Sequence, residues 1–207
     1  VMKTNLGVTL NRPRSAQQYE AALTQIDGEV DRLTRLTSDL LLLARSDSGQ
    51  PIGQPRPIEL CALLGDVVAE LRPLAEAKSL SLIYEPISNV TVNGDADQLH
   101  RVFFNLIENA IKYTVSGSIT ARVQLQPDRV RVTIEDTGPG IPAENLPHVF
   151  ERFYRVDAAR SREQGGSGLG LAIAHSLITA HGGTLEVRSE VERGTTFTVS
   201  LPNMRKF

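Results

Sequence analysis

A long apolar seam with the spacing of a helix runs through residues 26–44. Its positions alternate between steps of four and three residues, and they are Ile26, Val30, Leu33, Thr37, Leu40 and Ala44. Leu23, Leu36 and Leu43 widen the seam. A strand cannot present such a pattern on one face, so the segment is predicted to be a long helix that packs along other helices.

A capping box indicates where this helix begins. Ser15 and Gln18 follow Pro13 with the S-x-x-Q spacing, in which the two side chains satisfy backbone amides at the helix start. We interpret residues 2–10 as the end of a preceding helix, so residues 1–48 are predicted to form an antiparallel helical hairpin with an incomplete first arm. Because one hairpin cannot enclose so broad an apolar face, we expect two copies to form a four-helix bundle. The alternative is that the seam packs on the rest of the same chain.

The pattern changes after residues 49–57, which are rich in glycine and proline and are predicted to link two domains. In residues 58–207, helices are predicted at 60–77, 96–112 and 168–181. Apolar and polar residues alternate between them, and strands are predicted near residues 58–60, 80–86, 90–95, 118–126, 129–137, 184–191 and 195–202. This pattern predicts an α/β fold in which helices cover one face of a sheet.

Composition narrows the classes of partner. The chain has 207 residues, 41% of them hydrophobic and 22% charged, and a formal net charge of −2, as is typical of a globular protein of one or two domains. The sequence contains no basic run long enough to indicate a nucleic-acid partner. The sequence contains neither an uninterrupted apolar stretch of about 20 residues nor a leader-peptide pattern, so direct contact with a membrane is not expected. The single cysteine, Cys61, cannot form an internal disulfide, which agrees with a reducing compartment.

Four glycines stand together at the start of the last predicted helix: Gly165, Gly166, Gly168 and Gly170. They form either a flexible joint or a cradle for phosphates, since backbone amides at a helix N-terminus attract anions. Their spacing excludes a Walker A loop, which would end in Gly-Lys-Ser/Thr, and it does not fit G-x-G-x-x-G. A nucleotide hypothesis therefore depends on motifs elsewhere in the chain.

The sequence NLIENAIKY begins in the predicted helix 96–112 and ends one residue after it. Asn105, Asn109, Lys112 and Tyr113 are close in helical phase, although asparagine is a weak helix former. An amide oxygen is a good ligand for Mg²⁺. The functional interpretation assigns Asn109 to a metal ion, Lys112 to a phosphate and Tyr113 to stacking on a base. The alternative is a solvated polar face.

The sequence DTGPGIP follows a predicted strand. Gly138 and Gly140 permit a tight turn and let a ligand approach the backbone. The carboxylate of Asp136 is a hydrogen-bond acceptor that could bind the exocyclic amine of adenine. The alternative is an ordinary turn that Asp136 caps.

A stretch with little periodicity covers residues 138–167, and a loop of this length is usually a functional lid or disordered. Within it, Phe150 and Phe153 of the sequence FERFYR are expected to anchor the loop by burial. Arg152 or Arg155 could then reach a terminal phosphate from a mobile element. The alternative is that the two phenylalanines serve as anchors and nothing more.

The order of these motifs resembles that of the N, G1, F and G2 boxes of sensor histidine kinases, and the resemblance extends over essentially the whole chain. The helix that ends in DLLLLARSDSG also resembles the second helix of the dimerisation and histidine-phosphotransfer hairpin of that family. The resemblance implies a two-layer α/β sandwich of the gyrase, chaperone and histidine-kinase (GHKL) superfamily. In that fold a mixed sheet is covered by helices, and ATP is held with Mg²⁺ beneath a movable lid.

Carried over by position, the resemblance implies Asn109 on Mg²⁺, with Asn105 and Lys112 near the phosphates. It implies Tyr113 against the adenine ring and Asp136 on the adenine amine. The other implied nucleotide-binding residues are Gly138, Gly140, Ile141, Phe150, Gly166, Gly168, Leu169 and Gly170. The implied catalytic residues are Asn105, Glu108, Lys112 and Arg155.

The resemblance implies a protein-histidine kinase that transfers the γ-phosphoryl group of ATP to a histidine, for relay to an aspartate on a response-regulator receiver domain. At Asn105, hydrolytic relatives carry a glutamate that activates water, and an amide cannot act as that general base. This difference favours phosphoryl transfer, although the neighbouring Glu108 leaves hydrolysis open. Two alternatives therefore remain, an ATP hydrolase or ATP-gated clamp of the same superfamily and a non-catalytic dimerisation module.

The family's phosphoaccepting histidine stands in an H box, and none of the four histidines has such surroundings. They are His100, His148, His175 and His181, which we expect to be structural or exposed. The chain is therefore expected to bind ATP without phosphorylating itself. The resemblance further implies a homodimer formed through the hairpin and a cytoplasmic location, with the parent chain anchored in the cell membrane.

Overall fold

The computed structural model describes residues 15–47, 53–88, 90–156 and 167–204. The chain divides into two compact units, Val1–Ala44 and Arg45–Phe207. Residues 2–10, the predicted first arm of the hairpin, lie outside the described residues. No helix in the described part of the chain is both long and apolar enough to span a membrane.

One long helix, α1 (Ala16–Asp47), contains the predicted seam. It begins at the predicted capping box, because the N–H of Gln18 donates to Ser15 Oγ at 3.3 Å and the N–H of Ser15 donates to Gln18 Oε1 at 3.2 Å. Several large apolar side chains of this helix are exposed, namely Leu23, Val30, Leu33, Leu40 and Leu41.

The second unit alternates strands and helices as predicted. Its helices are α2 (Leu60–Ala77), α3 (Ala96–Tyr113) and α4 (Gly170–Ala180), with a 3₁₀ helix at Ala143–His148. Its strands are β1 (Arg56–Glu59), β2 (Ser81–Glu85), β3 (Thr91–Gly94), β4 (Ser118–Leu125), β5 (Arg129–Asp136), β6 (Thr184–Glu190) and β7 (Gly194–Pro202). The predicted helices and strands are thus confirmed to within a few residues.

Two elements differ from the prediction. The 3₁₀ helix lies in the stretch that shows little periodicity, because a 3₁₀ helix of six residues is too short to leave a repeating pattern. Strand β1 starts at Arg56, inside the predicted linker 49–57. The chain is already held just before it, since the N–H of Gln54 donates to Asp95 Oδ2 at 3.2 Å.

The main sheet is mixed and has the strand order β2-β4-β5-β7-β6. Strands β2 and β4 are parallel, and the other neighbours are antiparallel. Residues alternate between a buried face and a partly exposed polar face along β4, β5 and β7. A separate two-stranded sheet pairs β1 with β3.

The helices α2, α3 and α4 pack against one face of this sheet, and α3 also packs against both α2 and α4. The α/β sandwich expected from the sequence is therefore confirmed. The largest fully buried side chains of this unit are Leu60, Leu64, Leu99, Phe103, Leu106, Ile107, Ile111, Ile119, Ile134, Leu169 and Ile173. Burial of such side chains contributes roughly 1.5–3 kcal/mol each, so this core fixes the position of α3.

Helix α3 is stabilised at both ends. Asp95 caps its N-terminus by accepting a hydrogen bond from the N–H of Gln98 at 3.1 Å. At its C-terminus, Lys78 Nζ donates to the carbonyl oxygens of Ile111 at 2.9 Å and Lys112 at 2.8 Å. A cation at this end also interacts favourably with the helix dipole.

Candidate functional site

A polar stripe runs along α3. Its members are Asn105 and the residues three, four and seven positions after it, Glu108, Asn109 and Lys112, and all four side chains are half-buried. Tyr113, at the end of the helix, is exposed over 46% of its surface. The half-burial of the stripe argues against the alternative of a fully solvated face.

Asn105 joins α3 to the beginning of α4. Its Nδ2 donates to the carbonyl oxygen of Gly170 at 3.2 Å. Leu169, which precedes Gly170, is completely buried. The glycine-rich segment thus meets the asparagine motif, as a shared site requires, whereas Gly166 lies outside the described residues.

Gly168 lies against the backbone of Phe153. Its φ of +72° lies in the left-handed region, and a Cβ atom there would stand 2.9 Å from the Cα of Phe153. The N–H of Phe153 donates to the carbonyl oxygen of Gly168 at 2.9 Å. The backbones at Phe153 and Gly168 are therefore held together, and this close approach requires a glycine.

Phe150 and Phe153 lie in different surroundings. The Phe150 ring is half-buried and stacks on His175 with a centroid separation of 5.1 Å, and it meets Phe197 edge-on at 6.4 Å. Phe153 is 59% exposed and has a φ of 63°. The expectation that both rings anchor the lid by burial is therefore wrong for Phe153, because its contact with Gly168 is made by the backbone.

Two cations approach each other beside the polar stripe. The pKa of Lys112 is lowered, first by burial and then by the positive charge of Arg155, while Glu108 opposes the shift and Lys78 adds to it. Arg155 Nη2 is buried and has no hydrogen-bond partner among the described residues. A pair of cations with an unsatisfied donor suits an anion such as a phosphate.

Asp136 stands at the end of β5 and is 8% exposed. Burial raises the pKa of its carboxyl, and hydrogen bonds from the backbone N–H groups of Gly138 and Thr195 oppose the shift only in part. The Gly138 bond measures 2.9 Å. A buried carboxylate suits recognition of a ligand amine, because it can accept further hydrogen bonds.

The turn after Asp136 is fixed by the β6–β7 hairpin. The N–H of Ile141 donates to Ser189 Oγ at 2.8 Å, and Ser189 Oγ donates in turn to the carbonyl oxygen of Gly194 at 2.8 Å. Gly140 has a φ of +72°, and a Cβ atom there would stand 2.2 Å from the carbonyl oxygen of Glu190. The turn therefore has one defined shape.

Sequence reasoning missed Ser189, Thr195 and Lys78. Thr195 faces Asp136 across the β5–β7 ladder, and its hydroxyl lies 2.9 Å from Ser189 Oγ. The glycine and threonines of GTTF, at the start of the last predicted strand, were the available signal for Thr195. Lys78 offered none, because its role depends on contacts with Ile111 and Lys112, which lie 33 and 34 residues further along the chain.

Each of the four histidines has a partner in the fold. His181 Nε2 accepts from the N–H of Asp95 at 3.0 Å, and its Nδ1 lies 2.7 Å from the carbonyl oxygen of Leu177. The other pairs are His100 with Glu70, His148 with Glu151, and His175 with Phe150. These contacts agree with structural roles for the histidines.

The protein atoms that could coordinate Mg²⁺ are few, so they fit this ion only if a bound ligand also contributes to its coordination shell. Within the part of the chain that the structure describes, no group of three or more His, Cys, Asp or Glu side chains could hold a metal ion. Asn109 offers one amide oxygen beside Lys112. A hard cation that keeps water and shares phosphate oxygens suits such a sparse protein contribution.

Comparisons with known proteins identify similar chains. A family model described as histidine kinase-, DNA gyrase B- and HSP90-like ATPase matches residues 94–205. The sensor histidine kinase CusS of Escherichia coli strain K12 is 38% identical over 200 residues, which are 96% of this chain and 41% of CusS. The probable sensor histidine kinase TcrY of Mycobacterium tuberculosis is 42% identical over 182 residues, which are 87% of this chain and 38% of TcrY.

Solved structures show the same relationship. Full-length ShkA in complex with AMPPNP has a TM-score of 0.76 and 29% identity, over 93% of this chain and 40% of ShkA. The mycobacterial sensor histidine kinase MprB has a TM-score of 0.59 and 29% identity, over 72% of this chain and 98% of the MprB chain. The chain spans well under half the length of its curated relatives.

Proposed function

The chain belongs to the histidine kinase-, DNA gyrase B- and HSP90-like ATPase family, and we propose that it carries the ATP-binding catalytic domain of a sensor histidine kinase. The reaction is transfer of the γ-phosphoryl group of ATP to a histidine on a dimerisation hairpin. The phosphoryl group then passes to an aspartate of a response-regulator receiver domain. The proposed physiological form is a homodimer assembled through α1 and its hairpin partner.

One observation carries this proposal: helix α3 lies near a buried carboxylate at its C-terminal end, and it carries a polar stripe with cationic side chains along its length. Its last turn leads into Thr114, whose Cα is 3.6 Å from the position of a Cβ on Gly138, next to Asp136. Its polar stripe contacts Gly170 at the N-terminus of α4 through Asn105. An acceptor for an amine and a cationic phosphate site on one helix match the two ends of a nucleotide.

In this proposal Asp136 accepts a hydrogen bond from the adenine amine, and Tyr113 lies against the ring. Lys112 and Arg155 bind the phosphates as cations, and the backbone at Gly168 and the start of α4 offers N–H groups to them. Asn109 would hold Mg²⁺, which neutralises charge on the transferring phosphoryl group. Catalysis rests on positioning and on electrostatic stabilisation, as in phosphoryl transfer generally.

Asn105 supports transfer over hydrolysis. Its Nδ2 donates a hydrogen bond to the Gly170 carbonyl oxygen, and an amide does not take a proton from water. Glu108 is the carboxylate on the same stripe, and it lies close enough to Lys112 to affect its pKa. It is therefore the residue on which the second candidate function, ATP hydrolysis, depends.

The two functions are separated by following the γ-phosphate. The protein is incubated with Mg²⁺ and γ-labelled ATP, together with a purified hairpin that carries a phosphoacceptor histidine from one of the similar kinases. Transfer is expected to label the hairpin with phosphate that is labile in acid and stable in base. Steady release of inorganic phosphate that disappears in Glu108→Ala, but not in the control Glu186→Gln, would favour the hydrolase instead.

A further inference from the structure

Thr114 is a buried polar residue without an assigned role. It follows α3 directly and is 1% exposed, and its backbone N–H donates to the carbonyl oxygen of Ala110 at 3.0 Å. Its Oγ1 is shielded from solvent and has no hydrogen-bond partner within the described residues. Buried hydroxyl groups are normally hydrogen-bonded, so this one lacks the partner that its surroundings would be expected to supply.

Neighbouring hydroxyl groups show the usual arrangement. Thr137 Oγ1 accepts from the N–H of Ser118 at 3.0 Å, and Ser189 Oγ bonds both Ile141 and Gly194. Thr114 thus differs from the polar residues that hold the turn in place. A role in supporting the fold does not account for its hydroxyl group.

The hydroxyl of Thr114 lies close to the carboxylate of Asp136. A Cβ atom on Gly138 would stand 3.3 Å from Thr114 Oγ1 and 2.7 Å from Asp136 Oδ1. The two oxygen atoms therefore lie close to one point beside Gly138, where a side chain would collide with Asp136 Oδ1 and crowd Thr114 Oγ1. A hydroxyl can donate a hydrogen bond, whereas an ionised carboxylate only accepts.

We propose that Thr114 is a specificity-determining residue that reads the purine base together with Asp136. This inference rests on the proposed function of the site. The Thr114 hydroxyl donates, directly or through one water, to a ring nitrogen that flanks the 6-amino group, while Asp136 accepts from that amine. Guanine carries an oxygen acceptor at position 6, so this donor and acceptor pair disfavours it.

The test combines single-atom changes in the protein and in the ligand. Thr114→Val removes the hydroxyl group and keeps nearly the same side-chain shape, whereas Thr114→Ser retains the hydroxyl group. The control is Thr133→Val, which makes the same exchange on the face of β5 opposite to Asp136. Affinities for ATP, 1-deaza-ATP and 7-deaza-ATP are measured by calorimetry in the presence of Mg²⁺. The unfolding midpoint of each protein without nucleotide is measured in parallel.

We expect Thr114→Val to weaken ATP binding by about tenfold, the scale of one lost hydrogen bond in a closed site. Thr114→Ser and Thr133→Val should bind as the wild type does. One deaza analogue should bind the wild type more weakly than ATP does, and this difference should vanish in Thr114→Val. The unfolding midpoint of nucleotide-free Thr114→Val should not fall, because an unsatisfied hydroxyl is removed.

Three outcomes would overturn the inference. They are unchanged ATP affinity in Thr114→Val, equal binding of ATP and both deaza analogues by the wild type, and a large loss of stability in Thr114→Val, which would assign the hydroxyl to the fold. The deaza comparison uses the wild-type protein and so does not depend on how the variant folds. A wild-type protein that binds no ATP would instead contradict the proposed function itself.

Discussion

At the scale of single residues, Asp136 holds a charge where a charge is unfavourable. Burial raises its pKa above the ordinary value of 3.8. A carboxyl with a higher pKa in the folded state binds more protons there than in the unfolded state. The free energy of unfolding therefore decreases as the pH rises from 3.8 through the raised pKa, and the ionised group lowers stability at neutral pH. A ligand amine recovers part of this energy.

The unfavourable burial of this charge predicts that its removal has opposite effects on protein stability and on nucleotide binding. Asp136→Asn should keep or raise the unfolding midpoint of the nucleotide-free protein at neutral pH, while it abolishes nucleotide binding. The difference in midpoint from the wild type should shrink in acid, where the wild-type carboxyl is also neutral. Circular dichroism during heating measures it, with Glu186→Gln as the control. A marked loss of stability at neutral pH would show that the charge supports the fold.

Lys112 and Arg155 are proposed to bind the phosphates, which gives a second prediction at this scale. Arg155→Met should weaken binding of AMPPNP by about 1.5–3 kcal/mol, the range of a hydrogen bond to a charged group. Binding of adenosine should be unaffected, whereas Asp136→Asn should weaken both ligands. Calorimetry with the two ligands checks this, and Arg129→Met is the control for loss of an exposed cation. Equal losses for both ligands would contradict the placement of Arg155.

At the scale of elements, α3 carries the site and is fastened at its C-terminus by Lys78. Lys78→Met should remove two hydrogen bonds to terminal carbonyl groups and a favourable dipole interaction, and so lower stability by about 1–2 kcal/mol. Lys78→Arg should restore most of the loss, because it retains the charge and the donors. Urea unfolding gives both values. Equal stability of all three proteins would mean that α3 is held by its apolar face alone.

Helix α1 supports a prediction about assembly. Leu33 lies in the middle of the apolar seam and is 49% exposed. Leu33→Glu should shift the protein from dimer to monomer, because burying the charge in a bundle is unfavourable. Ser38→Glu adds the same charge at an exposed position next to the seam and should leave the dimer intact. Light scattering after size-exclusion chromatography distinguishes these cases, and a monomeric wild type would contradict the dimer.

Elements with local signals could be predicted from the sequence, and contacts between distant segments could not. The start of α1 follows from the capping box of Ser15 and Gln18 and from apolar spacing. The bond from Ile141 to Ser189 joins residues 48 positions apart, and no periodicity encodes it. Burial of Phe153 was expected from residue type, whereas its positive φ and its backbone bond to Gly168 leave the ring exposed.

At the scale of the whole molecule, the sheet order brings the parts of the site together. Strand β5 lies between β4 and β7, so Asp136 at its end meets Thr195 of β7. The turn that follows is held by the β6–β7 hairpin, and Phe150 contacts both α4 and β7 through His175 and Phe197. The family resemblance identified the motifs from their order, but their juxtaposition depends on this topology.

The most direct measurement is a calorimetric titration of the protein with AMPPNP in the presence of Mg²⁺. We expect saturable binding of one nucleotide per chain by the wild type, and loss of that binding in Asp136→Asn with the fold retained. Glu186→Gln should bind as the wild type does. Absence of binding by the folded wild type, or unchanged affinity in Asp136→Asn, would contradict the assignment of this site to ATP.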